Sequence, residues 1–337
     1  MTPYETVACP LCGSTRALER LRQRDVNLCM SEDEFSLMTC LECGLIYLNP
    51  RPTAQAIGKF YPDEYYPCTP GPKGHVGRRT SKKLSAIIKQ AIREEFYGYP
   101  VQGTPSKWQR VRRWMLYPEY LHLKLAGRES LRYSGEGRLL DVGCGPGKTM
   151  VLLREQGWDT VGVDFSSVAA EYARSQHGLD VFCGELAQAG HKESSFDVVM
   201  FSHSLEHLYD PLETLKEAHR ILKPGGRLVV VVPNAASFEA RIFGKWWVHW
   251  DVPRHLTHFT RVTLRQLLES CGFRISSVQY GMTPSSFLGS LDYVARHVRG
   301  RPLGKNRALR LLARPICLIA GHLRSGSELR MEAVKPG

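Results

Sequence analysis

Three groups of residues in this chain have types and spacings that could do chemistry. The first is Leu139-Leu140-Asp141-Val142-Gly143-Cys144-Gly145-Pro146-Gly147-Lys148. An apolar run of strand length ends in an acid and breaks into Gly-x-Gly-x-Gly. Met150, Val151, Leu152 and Leu153 then begin a helical apolar pattern. Asp164 closes the next apolar run, Thr160-Val161-Gly162-Val163, where a carboxylate can take both hydroxyls of a ribose. A dinucleotide turn wants a small residue where Lys148 stands. A phosphate loop ending in Gly147-Lys148-Thr149 would need glycine where Val142 stands. An acid before the glycines suits instead a nucleoside-bearing ligand that carries an ammonium group.

The second group is Cys9-Pro10-Leu11-Cys12 and Cys40-Leu41-Glu42-Cys43, each followed by glycine. Two such knuckles can close a tetrahedral four-sulfur site, so Cys9, Cys12, Cys40 and Cys43 are read as the ligands of a structural zinc ribbon. With all four positions filled by protein, this zinc would not be catalytic. The third group is rich in histidine. Ser202-His203-Ser204-Leu205-Glu206-His207 follows one apolar run, and Asp251-Val252-Pro253-Arg254-His255-Leu256-Thr257-His258 follows another.

The first group and three later segments together resemble the class I S-adenosylmethionine-dependent methyltransferases. Leu139 to Gly147 is similar to their first motif, and Val161-Gly162-Val163-Asp164-Phe165-Ser166 to their second. Phe196 to His203 resembles their fourth strand, and Leu222-Lys223-Pro224-Gly225-Gly226-Arg227-Leu228-Val229-Val230 their fifth. The resemblance covers residues 136–337. It implies an α/β fold: a seven-stranded, doubly wound (Rossmann-like) methyltransferase sheet, its last strand antiparallel. It implies S-adenosyl-L-methionine as cofactor, with Gly143, Gly145 and Gly147 at the methionine and ribose, Asp141 on the ammonium side through water, and Asp164 on the ribose. Phe165, Glu185 and Leu186 would surround the adenine, and Ser202 would stand at the cleft mouth.

The ribbon, Leu48 to Thr53 and the aromatic run Phe60 to Tyr66 resemble the N-terminal region of a bacterial methyltransferase subgroup often linked to sugar and polysaccharide pathways. That resemblance implies a sugar or other small-molecule acceptor, nucleotide-linked or lipid-linked. The ubiquinone-pathway O-methyltransferases place Glu-x-x-Glu-His for a divalent cation where this chain has His203, Glu206 and His207. His203 replaces their first Glu, so a cation there departs from the pattern.

Transfer of a methyl group from a sulfonium needs alignment, and an alcohol or carbon acceptor also needs a proton removed. His207 and His255 are the candidate catalytic residues. Arg254 is read as a clamp for a phosphate or carboxylate of the substrate. Trp246, Trp247 and Trp250 are read as sugar-stacking faces or core, and Pro233-Asn234 as facing the cleft.

The elements that must position these groups divide the chain into a ribbon (1–52), an aromatic and basic helical linker segment (53–135) and the cofactor domain (136–337). Substrate-covering inserts are expected near 235–260 and 283–325. The net charge of +12 sits mainly in residues 73–135, where 14 basic and 4 acidic residues leave a net +10. Such a segment suits a polyanion or is a solvated helical face. A nucleic-acid methyltransferase is therefore the alternative, although no Asn-Pro-Pro-Tyr-type motif follows the fourth strand. A cofactor-binding scaffold without turnover is the non-enzyme alternative. The polar stretch Thr2 to Arg24 and ten cysteines without an export signal predict a soluble, cytoplasmic protein with reduced thiols. The late aliphatic residues Leu309, Leu311, Leu312, Ile316, Leu318 and Ile319, interleaved with arginines, read as a packing helix or a membrane-surface contact.

Overall fold

A computed structural model describes residues 3–62, 79–100, 109–125, 130–301, 303 and 307–337. The sequence-predicted linker over 67–77, Tyr65, Tyr66 and Cys68 lie outside the described residues. Residues 1–67 and 138–337 form one compact unit and 68–137 a second.

The larger unit begins with five short strands: β1 (Tyr4–Glu5), β2 (Ala17–Arg24), β3 (Glu34–Cys40), β4 (Ile46–Leu48) and β5 (Arg51–Pro52). In the second unit, α1 (Arg79–Phe96) and α2 (Gln109–Leu125) pair through stacked Phe96 and Tyr120, whose ring centroids are 4.2 Å apart. There the Arg112 guanidinium reaches both Glu94 and Glu95.

The chain returns to the larger unit with β6 (Arg138–Val142), α3 (Lys148–Arg154), β7 (Asp159–Asp164), α4 (Ser167–His177), β8 (Asp180–Cys183) and β9 (Phe196–Ser202). It continues through α5 (Pro211–Ile221), β10 (Leu222–Pro233), α6 (Phe238–Phe243), β11 (Thr257–His258), α7 (Arg261–Ser270) and β12 (Arg274–Gly281). The last elements are α8 (Pro284–Arg299), α9 (Arg307–His322) and β13 (Glu328–Val334). Among the described residues, no helix is long and apolar enough to cross a membrane.

The main sheet has seven strands in the order β12-β13-β10-β9-β6-β7-β8. Strands β10, β9, β6, β7 and β8 are parallel neighbours, and β13 runs antiparallel to both β10 and β12. The apolar runs explain the central strands. Leu139, Leu140, Phe196, Val198, Val199 and Phe201 are all fully buried, as a strand covered by helices on both faces requires. The strand order reverses between β6 and β9, so the crevice at their carboxyl ends is the switch point where ligands bind in such sheets.

The N-terminal strands do not stand apart. Strand β4 pairs with β3 on one side and with β11 on the other, through Tyr47–Thr257 and Ile46–His258. Cys9, Cys40, Leu45 and Tyr47 belong to the same apolar core as Leu140, Val199 and Val230. The cysteine-bearing module is thus stitched to the segment that follows β10.

Candidate functional site

The glycine turn forms the floor of the crevice. Gly143, Gly145 and Gly147 all adopt left-handed backbone conformations. A side chain at Gly143 would lie 2.3 Å from Cβ of Ser204, so the turn and the loop after β9 are in direct contact. Ser204 donates its hydroxyl to the carbonyl of Val142, fixing that loop against the end of β6. The backbone N–H groups of Gly145 and Ser166 donate to the two oxygens of Asp164, at 2.7 and 2.8 Å. Burial pushes the Asp164 carboxyl above its usual range, against these two bonds. Asp141 lies at the end of β6 and is also buried; burial and the neighbouring Asp164 charge raise its carboxyl to about 7.

The predicted adenine residues divide by environment. Phe165 is 55% exposed, so it is not core, and its edge meets the Tyr61 ring at 5.9 Å. Leu186 is buried, whereas Glu185 is exposed at the start of a short 3-10 turn. Ser202 ends β9, half-buried at the crevice.

Glu206, His207 and His255 come together beside this turn. One ligand atom from each lies within 4.8 Å of the others. Glu206 is 1% exposed, and among the described residues neither of its carboxylate oxygens has a hydrogen-bond partner. The two imidazoles lie edge to face, with centroids 4.7 Å apart. Each is oriented through Nδ1, which faces a backbone carbonyl: that of Arg254 at 3.0 Å for His207, and that of His249 at 2.9 Å for His255. In that neutral tautomer Nδ1 donates and Nε2 carries the lone pair. The His255 Nε2 stands 4.0 Å from Glu206 and 3.8 Å from Asp251. Burial and the adjacent His255 lower His207 to about 4. Burial opposes ionisation of Glu206, but the surrounding histidines outweigh it and hold the carboxyl down at about 2. A buried carboxylate facing two imidazoles can accept and relay a proton, or ligate a cation.

His203 lies on the rim. Its backbone is left-handed, a conformation histidine adopts more readily than most side chains, and its ring lies toward two carboxylates. Nε2 bonds Glu328 at 3.1 Å and Nδ1 lies 3.7 Å from Glu206. Burial works against protonation, yet these two acids raise its pKa to about 10 and hold it as an imidazolium. Of the predicted trio His203, Glu206 and His207, the last two converge with His255, while His203 is engaged by Glu328.

Several sequence readings change. Arg254 is not a substrate clamp: it is fully buried and bonded to Asp25, Asp251 and the carbonyl of Phe60. Of the two readings given for the tryptophans, Trp247 and Trp250 take the core one, 1% and 2% exposed and packed at right angles. Asn234 faces inward, its amide donating to Gly326 and accepting from Ala236. The reading missed Tyr61, whose hydroxyl lies 3.2 Å from His207 Nδ1, and Glu328, whose partner is far away in sequence. Tyr61 was visible as part of an aromatic run; no local signal marked Glu328.

Cys9, Cys12, Cys40 and Cys43 converge as read. The Cys9–Cys43 and Cys12–Cys40 sulfurs are each 3.5 Å apart. Tetrahedral zinc with Zn–S bonds of about 2.3 Å sets sulfurs about 3.8 Å apart, so the four positions fit that ion. Cys40 is buried, yet the N–H groups of Cys43 and Glu42 bring its thiol down to about 7. These four cysteines are positioned to form an N-terminal zinc site.

Known proteins agree with the crevice. The family described as a methyltransferase domain matches residues 116–278. A probable S-adenosylmethionine-dependent methyltransferase of Mycolicibacterium smegmatis is 29% identical over 188 residues, spanning 55% of this chain and 67% of that protein. A ubiquinone biosynthesis O-methyltransferase of Ruegeria pomeroyi is 29% identical over 186 residues, 49% of this chain and 74% of the relative. A demethylmenaquinone methyltransferase of Beutenbergia cavernae is 36% identical over 107 residues, 31% of this chain and 45% of the relative. A parallel sheet closed by one reversed strand, a glycine turn at its switch point and relatives of this kind together support a class I S-adenosylmethionine-dependent methyltransferase.

Proposed function

We propose that the chain methylates a hydroxyl group of a small-molecule or sugar acceptor, with the Glu206–His207–His255 cluster receiving the hydroxyl proton. The observation that carries this reading is the buried Glu206 carboxylate, without a hydrogen bond among the described residues and facing two imidazoles, one loop away from the glycine turn. S-adenosylmethionine supplies an electrophilic methyl group. Gly143, Gly145 and Gly147 would let the backbone approach it, Asp141 would serve its ammonium group, and Asp164 its ribose hydroxyls. Phe165 and Leu186 would flank the adenine, with Glu185 toward its amine.

His255 is the base: its Nδ1 is committed to the His249 carbonyl, so Nε2 is the atom that takes the proton. Glu206, 4.0 Å from that same Nε2, offsets the charge of the resulting imidazolium. His207, kept neutral by burial, orients the pair and faces Tyr61. A quinol or catechol hydroxyl and a sugar hydroxyl both meet this requirement. The relative named as an O-methyltransferase supports oxygen as the acceptor atom.

A second reading is favoured by the same carboxylate: Glu206, His207 and His255 could hold a divalent cation that binds the acceptor oxygen. Labelled-methyl transfer to a panel of catechols, quinols, nucleotide sugars and RNA, with and without a chelator, tests both. The first reading expects methyl-ether products whose formation survives chelation, and a His255→Gln loss of about 10²–10⁴-fold. Activity lost on chelation and restored by a divalent ion favours the cation. Methyl transfer to RNA alone contradicts both.

A further inference from the structure

Helix α9 is inverted relative to an ordinary surface helix. Its inner face is small: Ala313, Cys317 and Ala320, at i, i+4 and i+7, are buried. Its outer face is large and aliphatic. Leu312, Ile316, Ile319 and Leu323 form one stripe, 69%, 39%, 59% and 73% exposed, and Leu311 and Leu318 widen it. A helix that merely packs on a domain places its large apolar residues inward. Single exposed leucines need no explanation, but a continuous stripe of this length marks a surface with a partner.

Charge identifies that partner. Residues 293–327 contain eight Lys or Arg and no Asp or Glu. Arg310 and Arg314 are exposed along one margin of the aliphatic stripe, and Arg324 follows the helix end. Arg310 donates to the Ser285 hydroxyl at 3.0 Å. Large aliphatic side chains bordered by Arg310 and Arg314, which have no acidic partner among the described residues, complement a surface that is apolar inside and anionic at its boundary. With 16 residues, α9 suits a position in the plane of that boundary.

We propose that α9 is an interfacial helix that docks the protein on anionic lipid bilayers. Leu312, Ile316, Ile319 and Leu323 enter the acyl boundary while Arg310 and Arg314 meet lipid phosphates. This surface is independent of the acceptor assigned above.

Co-sedimentation of the full chain with vesicles tests it, comparing phosphatidylcholine alone with equal parts phosphatidylcholine and phosphatidylserine. The expected result is binding to the phosphatidylserine vesicles that weakens with added salt. Each arginine near such a surface contributes about fivefold to partitioning, so Arg310→Gln with Arg314→Gln should lower it about thirtyfold. Ile316→Ser with Ile319→Ser should lower it by more than about tenfold, since each isoleucine gives up its apolar burial. These side chains are exposed, so thermal unfolding of both variants should match the parent. Wild-type protein that stays in the supernatant, binds both vesicles equally, or forms a dimer that Ile316→Ser with Ile319→Ser dissolves would overturn the proposal.

Discussion

Breaking the Asp25–Arg254 pair should loosen the site without touching any group in it. Arg254 and Asp25 are both fully buried, joined by two bonds of 2.7 and 2.9 Å. Asp25 also accepts the N–H groups of Leu28 and Met30, so it holds its own turn together. Asp25→Asn keeps the size and one acceptor oxygen but removes the charge and turns an amide donor toward donors. Removing one partner of a buried pair costs about 3–5 kcal/mol. Arg254 retains Asp251 at 2.7 Å and the Phe60 carbonyl, so the lower end, about 3 kcal/mol, applies here. For a unit of this size, that loss lowers Tm by roughly 6–12 °C. His255 follows Arg254 directly, and the Arg254 carbonyl orients His207. The rate of methyl transfer should therefore fall more than cofactor affinity does. Thermal unfolding, cofactor titration and a single-turnover rate on the same preparation test this. A Tm within about 2 °C of the parent, where some 6 °C or more is expected, with an unchanged rate, would refute the clamp.

Three further outcomes follow from the geometry. Purified protein should carry about one zinc ion per chain, and Cys40→Ser with Cys43→Ser should lose it and lower Tm, as metal analysis and calorimetry would show. Gly143→Ala should abolish cofactor binding, because a left-handed backbone costs a side chain of order 1–3 kcal/mol and the new methyl would overlap Ser204; calorimetric titration with S-adenosylhomocysteine reads this. Asp141 is raised to about 7 by burial and the Asp164 charge. Its anion, which suits the ligand ammonium, is therefore present above that pH and lost below it, so S-adenosylhomocysteine affinity should fall as the titration is repeated at increasing acidity. An Asp141→Asn variant should bind weakly at every pH.

The main sheet was legible because parallel strands covered on both faces must be continuous apolar runs, and Leu139–Val142 and Phe196–Phe201 are such runs. The cysteine cluster was legible from spacing alone. What could not be read was pairing across long stretches of chain. Strand β11 is two residues long and looks like loop, yet it joins Tyr47 to Thr257. Arg254 was read as a ligand-binding cation because arginine is mostly exposed; its partner Asp25 lies 229 positions away. His207 and His255 were singled out by residue type, but only the fold shows that both turn toward Glu206 and that His203 is engaged by Glu328.

The central claim is that His255 receives the acceptor proton beside the bound methyl donor. The most direct test is a single-turnover methyl-transfer rate for His255→Gln against the parent, with S-adenosylmethionine affinity measured in parallel. The account predicts unchanged cofactor affinity and a rate lowered by about 10²–10⁴. A variant that binds cofactor and transfers the methyl group at the parental rate would contradict it.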